Sequence, residues 1–319
     1  MKIVVTGSTG LVGTALVHAL ACDGHTVCRL LRRETITGKG KKDQPNQGLA
    51  GQVVDIAWDP EDPSASSLAD SQGKVEGAEA VVNLAGASIA GGRWTTERKM
   101  LLRSSRVRTT GALVSALKKA SVRPKVFVSA SAIGYYGSRG EEVLTEESKC
   151  GEGFLAGVSR EWETEAVKAE ALGTRVVCAR FGIILAKHGG ALPQMMRPFQ
   201  FGVGGKIGSG QQWMSWVTLR DVIGVIRYAL ENATMTGAVN VVAPRSARNA
   251  EFTRELARAM HRPAISPAPA FALRLALGEM ADALLLSSQR VLPSFLQRLN
   301  YPFVQPDLPS ALEQILSTE

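Results

Sequence analysis

The residues whose types and spacing could do chemistry gather at two points of the chain. The first is Gly7-Ser8-Thr9-Gly10-Leu11-Val12-Gly13. A glycine-rich turn that feeds a helix N-terminus offers unclaimed backbone N–H groups and the positive end of the helix dipole, which together hold a phosphate. In a G-x-x-G-x-x-G spacing, Gly7 permits the tight turn and Gly10 the close approach of a pyrophosphate. Gly13 then lets helix and strand pack closely. The second point is Ser129, Ser131, Tyr135 and Tyr136. A tyrosine hydroxyl beside a serine hydroxyl can exchange a proton with a substrate oxygen. Tyr135 as proton donor and Ser131 as the group that aligns a carbonyl are therefore the candidate catalytic residues. The competing reading is that Tyr135 and Tyr136 pack an internal interface with their hydroxyls merely satisfied.

Both clusters need a scaffold, and the hydropathy pattern supplies one. Short apolar runs at 2–6, 26–31, 53–58, 79–84, 126–131 and 174–180 read as strands. Helical spacing at 11–21, near 64–72, at 95–119, 154–170 and 220–230 fills the gaps, and a further strand follows at 239–242. The alternation predicts a parallel, doubly wound α/β sheet of the Rossmann type. Such a sheet binds ligands at its carboxyl edge. The glycine turn after the first strand and the Ser/Tyr cluster after the fifth both fall there. Residues 1–185 make this domain, and 220–243 return to it. Residues 186–219 and 244–319 predict a smaller, mostly helical C-terminal lobe, with Gly189 to Gly210 crowded by seven glycines.

The second strand selects the cofactor. A site for NAD wants an acid near that strand's end to bond the ribose 2′-hydroxyl. Here the strand ends Leu31-Arg32-Arg33, and no acid occurs until Glu34. Two guanidiniums suit a 2′-phosphate through charge-assisted bidentate bonds, so NADP(H) is the expected cofactor. The fourth strand ends Asn83-Leu84-Ala85-Gly86, small enough at Leu84, Ala85 and Gly86 for backbone approach to the cofactor. Ser129 at the same edge counts with the cofactor contacts. Arg106, on the following helix, would reach a phosphate or close a surface ion pair.

Composition bounds the remaining classes. Lys plus Arg is 37 against 29 Asp plus Glu, giving +8 over 319 residues. No aromatic-interleaved basic motif or helix-turn-helix pattern accompanies that excess, so nucleic acid is not an expected partner. No run of 18 apolar residues occurs, so no membrane span is expected. Four scattered cysteines form no C-x-x-C pair, and the four histidines have no metal spacing. The chain reads as cytoplasmic, with a small molecule as its substrate. Leu284–Leu286 line a cleft, a homodimer contact or core.

With these pieces together the chain resembles the extended short-chain dehydrogenase/reductase superfamily. It is closer still to the atypical NAD-dependent epimerase/dehydratase-like subgroup of epimerase family proteins. The likeness runs over nearly the whole chain. It rests on the glycine motif, Asn83-Leu84-Ala85-Gly86, Arg93-Trp94, Ser105-Arg106, Tyr135-Tyr136, Trp162-Glu163, the Gly202–Gly210 segment, Trp213, Trp216, Asp221 and Asn249-Ala250-Glu251-Phe252. The resemblance implies that the Gly7–Gly13 loop, Arg32, Arg33, Leu84, Ala85, Arg106 and Ile184 contact NADP(H), with Ile184 near the nicotinamide. It also implies an oxidoreductase acting on a small polar, sugar-like or carbonyl substrate.

One departure opposes that activity. The superfamily's acid/base pair is Tyr-x-x-x-Lys, and none occurs: Arg139, Gly140, Asn232 and Gln305 follow the four tyrosines at that distance. With Glu163 marking the acid beyond the pair, Leu155 and Ser159 hold its two positions. The alternative is thus a non-catalytic NADP(H)-binding sensor.

Overall fold

Seven parallel strands carry the fold in the computed structural model, which describes residues 1–32, 35, 50–60 and 76–317. In chain order the first half runs β1 (Lys2–Thr6), α1 (Leu11–Cys22), β2 (Thr26–Leu31), β3 (Gln52–Ala57), β4 (Ala80–Asn83), α2 (Thr96–Lys119), β5 (Val126–Ala132), β6 (Val143–Leu144), α3 (Phe154–Val167) and β7 (Arg175–Phe181). The second half continues β8 (Ile183–Leu185), α4 (Leu192–Gln200), β9 (Trp213–Met214), β10 (Trp216–Thr218), α5 (Leu219–Glu231), β11 (Gly237–Val241), β12 (Ala247–Arg248), α6 (Asn249–Ala259), α7 (Ala270–Leu277), β13 (Arg290–Val291), α8 (Ser294–Arg298) and α9 (Leu308–Ser317).

The main sheet has the order β11-β7-β5-β4-β1-β2-β3, and every pair in it is parallel. Its strands are largely apolar because both faces are covered. Side chains alternate across the sheet. Ile3 and Val5 therefore join Leu16 and Leu20 of α1 and Ile226 of α5 in one buried layer. Val4 points the other way, with Phe127, Leu113 and Leu117 of α2 and Val176. The strand order reverses between β1 and β4, which opens a crevice at their carboxyl ends. The glycine turn lies in that crevice.

Three sequence features set the helix ends. Thr95 caps α2 by accepting from the Arg98 N–H. The helix expected over 154–170 stops at Val167 and tightens into a 3-10 turn at Lys168–Leu172, closed by Gly173 at φ 80. Thr218 caps α5, and the buried Asp221 carboxylate beside it accepts from the Val304 and Gln305 N–H groups at 2.7 and 3.1 Å. That carboxylate ties the C-terminal segment to the sheet layer.

A third apolar cluster gathers Leu185, Leu192, Phe199, Met214, Trp216, Phe252, Leu256, Leu308 and Leu312. It draws on residues 186–219 and the C-terminal segment alike. Phe295, Tyr301 and Phe303 pack back onto the sheet's first layer. The helical piece near 64–72, Arg33, Lys39, Lys41 and Lys42 lie outside the described residues.

Candidate functional site

The glycine turn is built by backbone contacts that exclude side chains. Gly7 sits at φ +63, and a β-carbon there would lie 2.4 Å from the Leu84 carbonyl oxygen. On Gly13 it would meet the Gly7 carbonyl oxygen at 2.2 Å. Gly10 differs: its nearest neighbour would be that same oxygen at 3.4 Å, so the protein itself leaves room for a methyl group. Gly10 is also the N-cap of α1, without a side-chain cap and with no acid in the first turn. The first-turn N–H groups are therefore available to an anion. The Ser8 hydroxyl is buried beside them with no hydrogen-bond partner among the described residues. These features fit a pyrophosphate.

Below the turn, three polar residues stand at one register. Thr6, Asn83 and Ser129 occupy neighbouring positions on β1, β4 and β5. Thr6 donates to Asn83 Oδ1 at 2.7 Å, and Asn83 Nδ2 donates to Thr110 Oγ1 at 2.7 Å and toward Ser129 Oγ at 3.4 Å. Trp162 Nε1 also donates to Thr110. Ser129 thus belongs to a buried brace that fixes the Leu84–Gly86 backbone, and the Ala85 N–H points to Asn83 Oδ1 at 3.4 Å.

Arg106 lies over that backbone. A β-carbon on Gly86 would touch its guanidinium carbon at 3.1 Å. The guanidinium donates to the Leu102 and Ala87 carbonyls at 2.9 and 3.0 Å and rides over the Trp162 ring. It has no carboxylate partner among the described residues. Burial first, then the nearby Arg98, lowers it to about 10. A buried cation without a counter-ion favours an anion close by. Arg32 is exposed at the carboxyl end of β2.

The Ser/Tyr cluster is organised by an ion pair. Arg180 of β7 donates to Glu163 of α3 twice, at 2.8 and 2.7 Å, with both side chains nearly buried. Ser131, 2 % exposed, donates to Glu163 Oε1 at 2.6 Å. Arg180 also donates to the Tyr136 hydroxyl at 2.9 Å, and that hydroxyl donates to Asn240 Oδ1 at 2.6 Å. The same guanidinium stacks 3.6 Å from the Tyr135 ring centroid. Tyr135 is half-buried, and its hydroxyl makes no hydrogen bond among the described residues. Of the tyrosine pair, then, Tyr136 is satisfied in the core and Tyr135 is presented. Leu155 and Ser159 face the turn between β5 and Tyr135: a β-carbon on Gly134 would lie 3.3 Å from Leu155 Cβ and 3.9 Å from Ser159 Oγ.

Burial pushes the Tyr136 hydroxyl up to about 12, with Arg180 opposing. An unfolded tyrosine ionises near pH 10. The folded state holds this proton more tightly, so its contribution is intact below pH 10 and is lost as pH rises toward 12. Tyr301 is shifted the same way. Urea unfolding of Tyr136→Phe between those limits is expected to show a shallower alkaline loss than the parent. An identical slope would remove Tyr136 from the account.

Ile184, half-buried in β8, pairs with Val217 of β10. A β-carbon on Gly190 would lie 3.6 Å from its carbonyl oxygen and 2.9 Å from Leu11. The 187–190 loop thereby closes on the start of α1. Between them is a cleft of about 550 Å3 lined by Thr9, Gly10, Leu11, Thr14, Ala15, His18 and His188. Val12, half-buried, packs toward the sheet. Trp213 lies between the Arg248 and Arg290 guanidiniums and donates to Glu141. Among the described residues no group of three His, Cys, Asp or Glu could hold a metal, and no helix is long and apolar enough to cross a membrane.

Sequence reasoning did not join Glu163 to Arg180. The signal was available: Arg180 follows four apolar strand residues, Val176-Val177-Cys178-Ala179, and a buried charge demands a partner.

A doubly wound sheet with a glycine turn at its switch point and a polar cluster after β5 defines the class: a Rossmann-type α/β protein of short-chain dehydrogenase/reductase architecture. The chain belongs to the NAD dependent epimerase/dehydratase family, whose model matches residues 3–242. A second model, Domain of unknown function (DUF1731), matches residues 268–315. An epimerase family protein of Mycobacterium leprae is 36% identical over 310 residues, 97% of this chain and 94% of that protein. The epimerase family protein SDR39U1 homolog, chloroplastic, of Arabidopsis thaliana is 38% identical, across 99% of this chain and 87% of that one. Among solved structures, the human epimerase family protein SDR39U1 (isoform 2) with NADPH superposes with a TM-score of 0.83 at 30% identity, covering 100% of both chains.

Proposed function

We propose that this chain is an NADP(H)-dependent oxidoreductase acting on a carbonyl compound or the corresponding alcohol. One observation carries the cofactor half: the uncapped start of α1, with Gly10 open and Ser8 Oγ buried and unpartnered, is shaped for a pyrophosphate. Arg32 at the end of β2, followed in the sequence by Arg33, supports the 2′-phosphate form, and NADPH is the molecule named with the human relative. Arg106 would neutralise a phosphate over Gly86. When bound, this cofactor supplies or accepts a hydride.

The chain's own residues would handle the proton. Tyr135, presented at the carboxyl edge with its ring on Arg180, gives a proton to the substrate oxygen or takes one from it. Ser131 already donates its proton to Glu163. Its role in this reading is to hold Glu163, and through it Arg180, beneath Tyr135. A sensor without turnover is the second reading. It is favoured by Leu155 and Ser159 at the positions of the usual Tyr and Lys.

Cofactor titration and steady-state turnover test both halves. NADPH is expected to bind at least about ten-fold more tightly than NADH, and Arg32→Ala to erase most of that preference, as loss of a charge-assisted contact predicts. Equal affinities in the parent protein refute the 2′-phosphate assignment. Tyr135→Phe is expected to abolish carbonyl-dependent NADPH oxidation while leaving NADPH affinity intact. Tight NADPH binding with no turnover across a carbonyl panel moves the protein to the sensor reading.

A further inference from the structure

The substrate's recognised part can be read from a segment the cofactor does not use. Residues 278–289 cross the carboxyl edge between two anchors. At one end Glu279 pairs with Lys99 of α2, and a β-carbon on Gly278 would lie 3.7 Å from the Arg93 guanidinium. At the other, Ser288 Oγ donates to the Gly140 carbonyl at 2.7 Å, and Gln289 Nε2 donates to the Ile133 and Gly137 carbonyls at 3.0 Å. Ile133 and Gly137 bracket Tyr135, so the second anchor is the Tyr135 turn itself. Between the anchors stand Leu284, Leu285 and Leu286, all half-buried.

Beyond the Lys99–Glu279 pair the neighbouring residues are apolar too. Lys99 Nζ, held by Glu279, lies 5.3 Å from the Phe154 ring centroid, so the two sets of residues meet at Lys99. Phe154 packs edge-on against Trp94 at 5.3 Å. The next residue, Leu155, reaches the Gly134 turn, where the superfamily places its polar tyrosine. Just upstream of the segment, α7 is apolar yet buries no residue: Phe271 is 73% exposed and Leu275 80%.

Two cations in this strip are already paired. Lys99 is neutralised by Glu279 and Arg274 by Asp282; Arg93 stands exposed at the outer end. A nucleoside-diphosphate sugar requires cations for its two phosphates, whereas an apolar ligand asks for a largely apolar wall with one placed polar group. Tyr135 is that group. We propose that the substrate is an apolar carbonyl compound, an aryl or long-chain aldehyde or ketone, seated between Trp94, Phe154 and Leu155 on one side and Leu284, Leu285 and Leu286 on the other. The reaction rests on the oxidoreductase reading: one hydride from NADPH to the carbonyl carbon and one proton from Tyr135 to its oxygen, yielding an alcohol and NADP+.

Binding is tested apart from turnover. The NADPH-loaded protein is titrated by calorimetry with 2-decanone, 4-phenylbutan-2-one and UDP-glucose. Both ketones are expected to bind at least about ten-fold more tightly than UDP-glucose, with a negative heat-capacity change. Leu284→Asp and Phe154→Ala are each expected to weaken the ketones about ten-fold or more without altering NADPH affinity. Tighter binding of UDP-glucose overturns the proposal, as does ketone binding indifferent to both substitutions. Ketone binding without NADPH oxidation supports the apolar site and refutes only the oxidoreductase reading.

Discussion

Gly10→Ala and Gly13→Ala are expected to fail in different ways. A β-carbon on Gly13 would sit 2.2 Å from the Gly7 carbonyl oxygen and 2.7 Å from Ser8 Cα, both backbone atoms with no flexible end to yield. The helix must move off the sheet or the turn must open, an overpacking cost of about 3 kcal/mol. That corresponds to a melting temperature lower by roughly 6–10 °C. A β-carbon on Gly10 has its nearest neighbour at 3.4 Å, and Gly10 adopts φ −80, which alanine accepts. Gly10→Ala should therefore melt within about 2–4 °C of the parent. Its methyl group, however, projects where a pyrophosphate would approach the α1 N-terminus. NADPH affinity is expected to fall by about two orders of magnitude, the loss of roughly 2.7 kcal/mol. Thermal melts paired with NADPH titration separate the two effects. A Gly10→Ala protein that binds NADPH normally would falsify the phosphate assignment of this turn, whatever Gly13→Ala does to stability.

Much of this was legible in the chain, and the reason is local. A strand, a glycine turn and an apolar-periodic helix occupy the first 22 residues, so reading this unit needs no long-range information. Strand ends were likewise placed within a residue or two, since each apolar run is bounded by polar or glycine residues. The Ser/Tyr cluster was less legible because it is assembled from distant segments. Ser131, Glu163, Arg180 and Asn240 come from four different elements, and spacing alone joins none of them. Sequence reading offered Ser131 to a substrate carbonyl; in the structure its hydroxyl donates a hydrogen bond to Glu163. The fate of Arg106 was equally open, phosphate ligand or surface ion pair. The structure places it over Gly86, donating to the Leu102 and Ala87 carbonyls and riding over the Trp162 ring.

The largest loss of stability is expected from breaking the Glu163–Arg180 pair. Glu163→Ala would leave the Arg180 guanidinium buried, with only the Tyr136 hydroxyl and the Glu146 carbonyl as acceptors. Burial by itself disfavours that cation; in the intact protein the Glu163 carboxylate more than offsets it and holds Arg180 above its usual range. Removing one member of a buried pair costs about 3–5 kcal/mol, whereas replacing both with apolar residues of similar size is often near neutral. The double variant Glu163→Leu with Arg180→Met is thus expected to be more stable than Glu163→Ala, despite stripping the Ser131 hydroxyl of its acceptor and Tyr136 of one donor. Urea denaturation of the parent, Glu163→Leu, Arg180→Met and the double variant closes the cycle, and a coupling energy of about 2–3 kcal/mol is expected for groups in direct contact. Simple additivity would show the pair to be energetically idle. The functional consequence is separable. Because Arg180 also stacks on Tyr135, the double variant should recover stability without recovering turnover, while a protein that regains both would show that Tyr135 is positioned by something other than this ion pair.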